Sequence, residues 1–137
     1  TNADVQAVFQ RATEHLQVGG LFVFDVWYSP AVYHRKPEIR VKRMDNNEVE
    51  IIRNAEPNIL PNENRDDVNY TVFVRDKITD SYSKFSETHP MRHFSIPEIE
   101  YFTEKNNFKV MKTEEFLTGN SPSENTWGVC FVLRKVV

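Results

Sequence analysis

Residues Leu21 to Val26 read Leu-Phe-Val-Phe-Asp-Val and directly follow the pair Gly19-Gly20. A run that is apolar on both parities belongs to a central strand covered on both faces, so it demands a layered α/β arrangement. The residues before it supply one layer. Val5, Val8, Phe9, Ala12 and Leu16 recur at three- and four-residue spacing, the pattern of an amphipathic helix that Asn2 or Asp4 can cap and Gly19 can end in the left-handed conformation.

Beyond Pro37 the period changes to two. Ile39-Val41, Val49-Ile51, Val68 to Val74 and Tyr82 to Phe94 place large residues at alternate positions, separated by turn clusters at Asp45–Asn47, Pro57–Asp67 and Asp76–Asp80. The expected structure is an antiparallel meander of about four strands. Ser95 then serves as N-cap of a second helix, with Pro97 in its first turn, Glu98 as capping-box partner, Ile99 and Phe102 as its buried stripe and Asn106-Asn107 as its end. Strands over Phe108–Phe116 and Val129–Lys135 complete the chain.

The 137 residues suit a single domain. Only four are glycine, and no G-x-G-x-x-G or phosphate-loop pattern can be written from them. Lysine and arginine number 17 against 20 acidic residues, with no basic stripe, which argues against nucleic acid as a partner. The apolar runs Leu21–Phe24 and Val129–Leu133 are far too short to span a bilayer, so no membrane is expected. The single cysteine, Cys130, excludes an internal disulfide and reads as a buried, reduced thiol, which suits the cytoplasm. No metal-ligand spacing is present.

The order of elements resembles the C-terminal half of a class I S-adenosylmethionine-dependent methyltransferase. The residues that carry the likeness are His15-Leu16-Gln17-Val18-Gly19-Gly20-Leu21-Phe22-Val23-Phe24-Asp25, which match that family's passage from helix to fifth strand. Asp25 to Val32, His89-Pro90-Met91-Arg92-His93-Phe94-Ser95 and Thr126-Trp127-Gly128-Val129-Cys130-Phe131-Val132 extend it over essentially the whole chain. The resemblance implies an α/β or α+β fold. Residues 1–36 and 95–137 would form part of a Rossmann-like sheet with three strands and two main helices, and residues 37–94 an inserted antiparallel sheet used as lid, acceptor platform or dimer contact.

By the same resemblance, the parent protein uses S-adenosylmethionine, and its cofactor-binding strands and glycine loop would lie upstream of Thr1. The chain alone is then expected to bind no cofactor and to be inactive. Its partner would be a small-molecule acceptor, such as a sugar on a nucleotide carrier. In the parent fold a fourth strand would flank Leu21–Val26; without it the edge is bare, which predicts a homodimer or a swapped oligomer. The alternative is an autonomous, non-catalytic binding or oligomerisation module, and a third reading is a small α+β enzyme whose pocket joins His89, His93 and Asp25.

Ligand crevices in open α/β sheets lie beyond the carboxyl ends of the strands, where Asp25, Trp27 and Tyr28 stand. Asp25 would orient an acceptor amine or hydroxyl, while Trp27, Tyr28 and Tyr33 form an aromatic wall or pack the insert onto the main sheet. His89 and His93 are the candidate catalytic bases, and Arg92 a phosphate-binding group. On an alternating strand the two histidines share one face and Arg92 takes the other. The polar run Asn62–Asp67 is expected to be a solvated loop.

Overall fold

Helix α1 (Asn2–His15) starts from Thr1, whose hydroxyl accepts the Asp4 backbone N–H at 3.3 Å and donates to the Asp4 carboxylate at 2.7 Å. The cap is therefore Thr1 rather than Asn2 or Asp4. The helix also ends before its expected stop: Leu16 is already extended, and the ammonium of Lys135 donates to the terminal carbonyls of Thr13 and Leu16 at 2.8 and 2.9 Å. Gly19 instead serves the turn that follows, at φ +88°, with its N–H donating to the Lys135 carbonyl at 2.8 Å.

The computed structural model describes residues 1–137 in two compact units, Thr1–Lys36 with His93–Val137, and Pro37–Arg92. In the first unit, β1 (Leu21–Tyr28) pairs antiparallel with β7 (Gly128–Lys135), from Leu21 opposite Arg134 to Trp27 opposite Gly128. On the far side of β7 lies β6 (Phe108–Glu115), and α2 (Ser29–Arg35) and α3 (Ile96–Lys105) complete the unit. The final residues of β5 (Ser81–Phe94) join β1 in parallel, His93 opposite Trp27 and Phe94 opposite Tyr28. Helix α2 is absent from the sequence expectations. Ile99 and Phe102 are buried as expected, but the Ser95 side chain makes no capping hydrogen bond, and its carbonyl alone receives the Ile99 N–H.

Phe9, Ile99, Phe102, Phe108, Val129, Phe131 and Leu133 form the core of this unit, against which Phe22, Phe24, Val26 and Tyr28 pack. Phe9 is its hub, with ring centroids of Phe22, Phe24, Phe102 and Phe108 between 5.7 and 6.3 Å away. The other parity of β1 is open: Leu21 is 50% exposed, Val23 58%, and Asp25 is exposed as well. The expectation that Leu21–Val26 is covered on both faces is thus corrected, because α1 and α3 both contribute to the core on the Phe22 face. Leu21–Val26 also hydrogen-bonds a neighbouring strand on one side only.

The second unit is the meander β2 (Arg40–Asp45), β3 (Val49–Leu60), β4 (Arg65–Asp76) and Ser81–Arg92 of β5, each antiparallel to the next. Asn46 and Asp76 close two of the turns by accepting backbone N–H groups two and three residues on. The expected Pro57–Asp67 turn is mostly ladder: Pro57 lies opposite Val68 and Asn58 opposite Asp67, leaving only Pro61–Asn64 to reverse the chain, with Asn64 at φ 47°. The polar residues there belong to long strands. No helix is long and apolar enough to cross a membrane.

Candidate functional site

The carboxyl end of β1 runs straight into α2, and this junction gathers the first unit's functional candidates. Tyr28 donates its backbone N–H to the Trp127 carbonyl at 2.9 Å, and the indoles of Trp27 and Trp127 meet edge to face with centroids 5.2 Å apart. Ser29-Pro30 then opens α2, which Ala31 and Val32, both fully buried, fix in place. One turn later Tyr33 projects its ring edge-on to the imidazole of His93, 5.1 Å between centroids.

His93 reaches this point because the end of β5 is parallel to β1. It is fully buried, and its Nδ1 lies 2.8 Å from the Ser29 hydroxyl, itself 7% exposed. Trp27, Tyr33, Ser29, His93 and Trp127 therefore assemble around one junction. Tyr28 does not join them, since its ring packs against the core. Asp25 lies on the same face of β1 as Trp27, two residues back.

Asp25 faces Cys130 across the ladder, and Glu114 faces Cys130 from β6. Burial pushes the Cys130 thiol above its ordinary range, the charges of Glu114 and Asp25 push it further, and Lys112 acts in the opposite sense. The cysteine is half-buried rather than buried, because its side of β7 belongs to the open face.

The histidine–arginine cluster read from the sequence is divided. In the second unit His89 is exposed, with Nε2 3.1 Å from a Glu87 carboxylate oxygen and its ring 5.0 Å from that of Tyr70. Arg92 donates from Nη1 to the Glu63 carbonyl at 2.6 Å, tying β5 to the β3–β4 connection.

Sequence reasoning missed three residues. Ser29 was legible only as the residue before a proline, and Trp127 only as part of the terminal-strand likeness. Asp66 was hidden in a polar run expected to be loop, yet it is fully buried on β4 and neither carboxylate oxygen makes a hydrogen bond of normal geometry. Burial raises its pKa, the Asn58 backbone N–H partly offsets the rise, and the charge of Asp67 adds to it.

No family model matches the sequence, and no curated protein does. Solved structures match over the whole chain. An S-adenosylmethionine-dependent methyltransferase from Clostridium acetobutylicum is 18% identical, with a TM-score of 0.79 over 100% of this chain and 53% of its own. The sugar N-methyltransferase KedS8 from a Streptoalloteichus species is 15% identical, with a TM-score of 0.78 over 100% of this chain and 51% of its own. The amino pentose methyltransferase CalS10 from Micromonospora echinaspora, solved with S-adenosylmethionine bound, is 16% identical, with a TM-score of 0.72 over 99% of this chain and 52% of its own. The chain thus spans about half the length of these proteins and has the fold of that half of an S-adenosylmethionine-dependent methyltransferase.

Proposed function

We propose that this chain is the acceptor-binding and lid portion of an S-adenosylmethionine-dependent methyltransferase acting on a small molecule. The observation that carries the reading is the gathering of Trp27, Ser29, Tyr33, His93 and Trp127 just beyond the carboxyl end of β1, where open α/β sheets bind ligands. Asp25 extends that group along β1. Its carboxylate suits an amine or hydroxyl, and the aromatic rings suit the apolar faces of a sugar or a base.

None of the chain's four glycines forms a glycine-rich cradle at a helix N-terminus. Gly19 and Gly20 serve the turn into β1, Gly119 follows β6, Gly128 begins β7, and none of them precedes a helix. What these residues supply is alignment: methyl transfer needs the accepting atom held in line and water kept away, and a base only where the acceptor must lose a proton. A sugar bearing an amine on a nucleotide carrier is the proposed acceptor class, supported by the sugar methyltransferases of the same fold. The lone Cys130 thiol suits a reducing, cytoplasmic setting.

The open edge of Leu21–Val26 supports a homodimer or swapped oligomer for the chain by itself. A dilute-solution mass measurement is expected to show more than a monomer, and a monomer alone counts against that part. Calorimetric titration of the 137-residue chain with S-adenosylmethionine is expected to show no tight binding, which tight binding would overturn. Translating the DNA upstream of Thr1 is the complementary test: a strand followed by a G-x-G turn supports the enzyme, and a start codon directly before Thr1 supports an autonomous module.

A further inference from the structure

The meander gathers three cations on one of its faces. Arg40 and Lys42 are two residues apart on β2, so they share a side of the sheet, and Lys42 stands directly opposite Arg53 of β3. Like charges directly opposite one another destabilise a ladder, and none of the three forms an ion pair within the chain. Elsewhere in the same unit cations are matched: Arg65 pairs with Glu63 and Asp67, Arg75 with Glu50 and Asp80, and Lys77 with Asp45. Arg40 and Lys42 are exposed. Arg53 is half-buried, its guanidinium 5.0 Å from the centre of the Tyr70 ring and its Nε buried without a hydrogen-bond partner. The ring attracts the cation and leaves its charge uncancelled. The carboxylates on this face are committed elsewhere or distant: Asp66 is buried near one end of β4, Asp76 accepts turn N–H groups at the other, and Glu87 lies 3.1 Å from His89 Nε2.

From this juxtaposition we infer that the face carrying Arg40, Lys42 and Arg53 binds the diphosphate group of a small molecule. Directly opposite Cβ atoms in a ladder are about 4.5–5.5 Å apart and diagonal ones about 7–8 Å, so three long side chains rooted there converge on one anion. A phosphate monoester carries about 1.5 to 2 negative charges, fewer than the three cations, and a carboxylate carries one; a diphosphate closes the balance. The two guanidinium groups supply paired N–H donors to its oxygens, and Lys42 supplies a point charge between them. Binding also relieves the repulsion that the free face carries. Arg43, the next residue of β2, points to the opposite face and takes no part. The site stands on the second unit by itself and does not rest on the methyltransferase reading. A nucleotide carrier is one source of a diphosphate, and inorganic pyrophosphate is another.

Calorimetric titration of the 137-residue chain at low salt, with inorganic pyrophosphate in one arm and uridine diphosphate in the other, tests the site and separates the two sources. Binding of either supports the inference, and tighter binding of the nucleotide identifies an ester as the source. Lys42→Gln and Arg53→Gln are each expected to weaken binding about tenfold, the loss of one charge-assisted hydrogen bond. Arg43→Gln removes the same charge from the opposite face and is expected to weaken it by less than about twofold. Absence of binding in both arms overturns the inference, as does equal weakening by Lys42→Gln and Arg43→Gln, which reports net charge alone. Should Arg53→Gln fail to fold, the comparison of the exposed Lys42 and Arg43 decides. No S-adenosylmethionine enters the measurement, so failure here leaves the methyltransferase reading standing, and failure of that reading leaves the diphosphate site intact.

Discussion

Asp25 stands directly opposite Cys130 in the β1–β7 ladder, on the face of the sheet that α1 and α3 leave open. The carboxylate and the thiol therefore share one electrostatic environment. Burial first, then Glu114 and Asp25, disfavour the thiolate, so alkylation of Cys130 should be slower than that of an unstructured thiol. Asp25→Asn removes one raising charge and should speed alkylation by roughly two- to fivefold, the size expected of one partly screened charge. Lys112→Gln should slow it. Timed labelling followed by mass measurement checks both signs, and equal rates in all three proteins would refute the assignment.

Asp66 ionises in the folded chain at a higher pH than in the unfolded one, chiefly because it is buried. The folded state therefore binds more protons through that window, and the linkage relation makes stability fall as pH rises from about 4 upward through the folded pKa. The penalty is complete above it. Asp66→Asn removes the titration, so denaturant midpoints should show the variant gaining on the parent as pH rises toward neutrality. A constant difference between the two at every pH would rule this out.

A Cβ placed on Gly20 would lie 2.9 Å from the Gln17 carbonyl oxygen and 3.2 Å from Leu16. The first contact is with backbone, which cannot swing aside, so Gly20→Ala should cost about 1–3 kcal/mol, in the range of overpacked sites. At Gly19 the space is open, and the cost comes from φ +88° alone, about 1–2 kcal/mol. Thermal unfolding of the two single variants measures both.

Phe9 is 2% exposed and touches four other phenylalanine rings. Phe9→Ala should remove about 3–5 kcal/mol. Val8, its neighbour on α1, is 55% exposed, so Val8→Ala should change stability by less than about 0.5 kcal/mol. Similar losses from the two would contradict the packing.

The elements that the sequence revealed are those whose periodicity is set by burial. Phe9, Ile99 and Phe102 announce helices, and Val68 to Val74 a strand, because each side chain must face a core. What stayed hidden was set by neighbours distant in sequence. The open Leu21–Val23 face follows from both main helices contributing to the core on one side, which spacing along a strand cannot reveal. Asp66 looked like loop because a carboxylate among asparagines usually is one, whereas the ladder from Leu60 opposite Arg65 onward carries it into a buried position. In the candidate site Trp27 and Tyr33 were readable from their place after the apolar run. Ser29 was not, since its meaning comes from His93, 64 positions away.

The first unit's sheet joins the two ends of the chain, Leu21 to Arg134, while β2, β3 and β4 each pair with the strand that follows them. Contacts of short sequence separation form early, and each distant pairing must wait for a loop to close. The meander is then expected to form before β1 meets β7. Substitutions that weaken the β3–β4 ladder should slow refolding as seen by Trp27 and Trp127 fluorescence, though both indoles lie in the other unit. Substitutions around Phe9 should chiefly hasten unfolding.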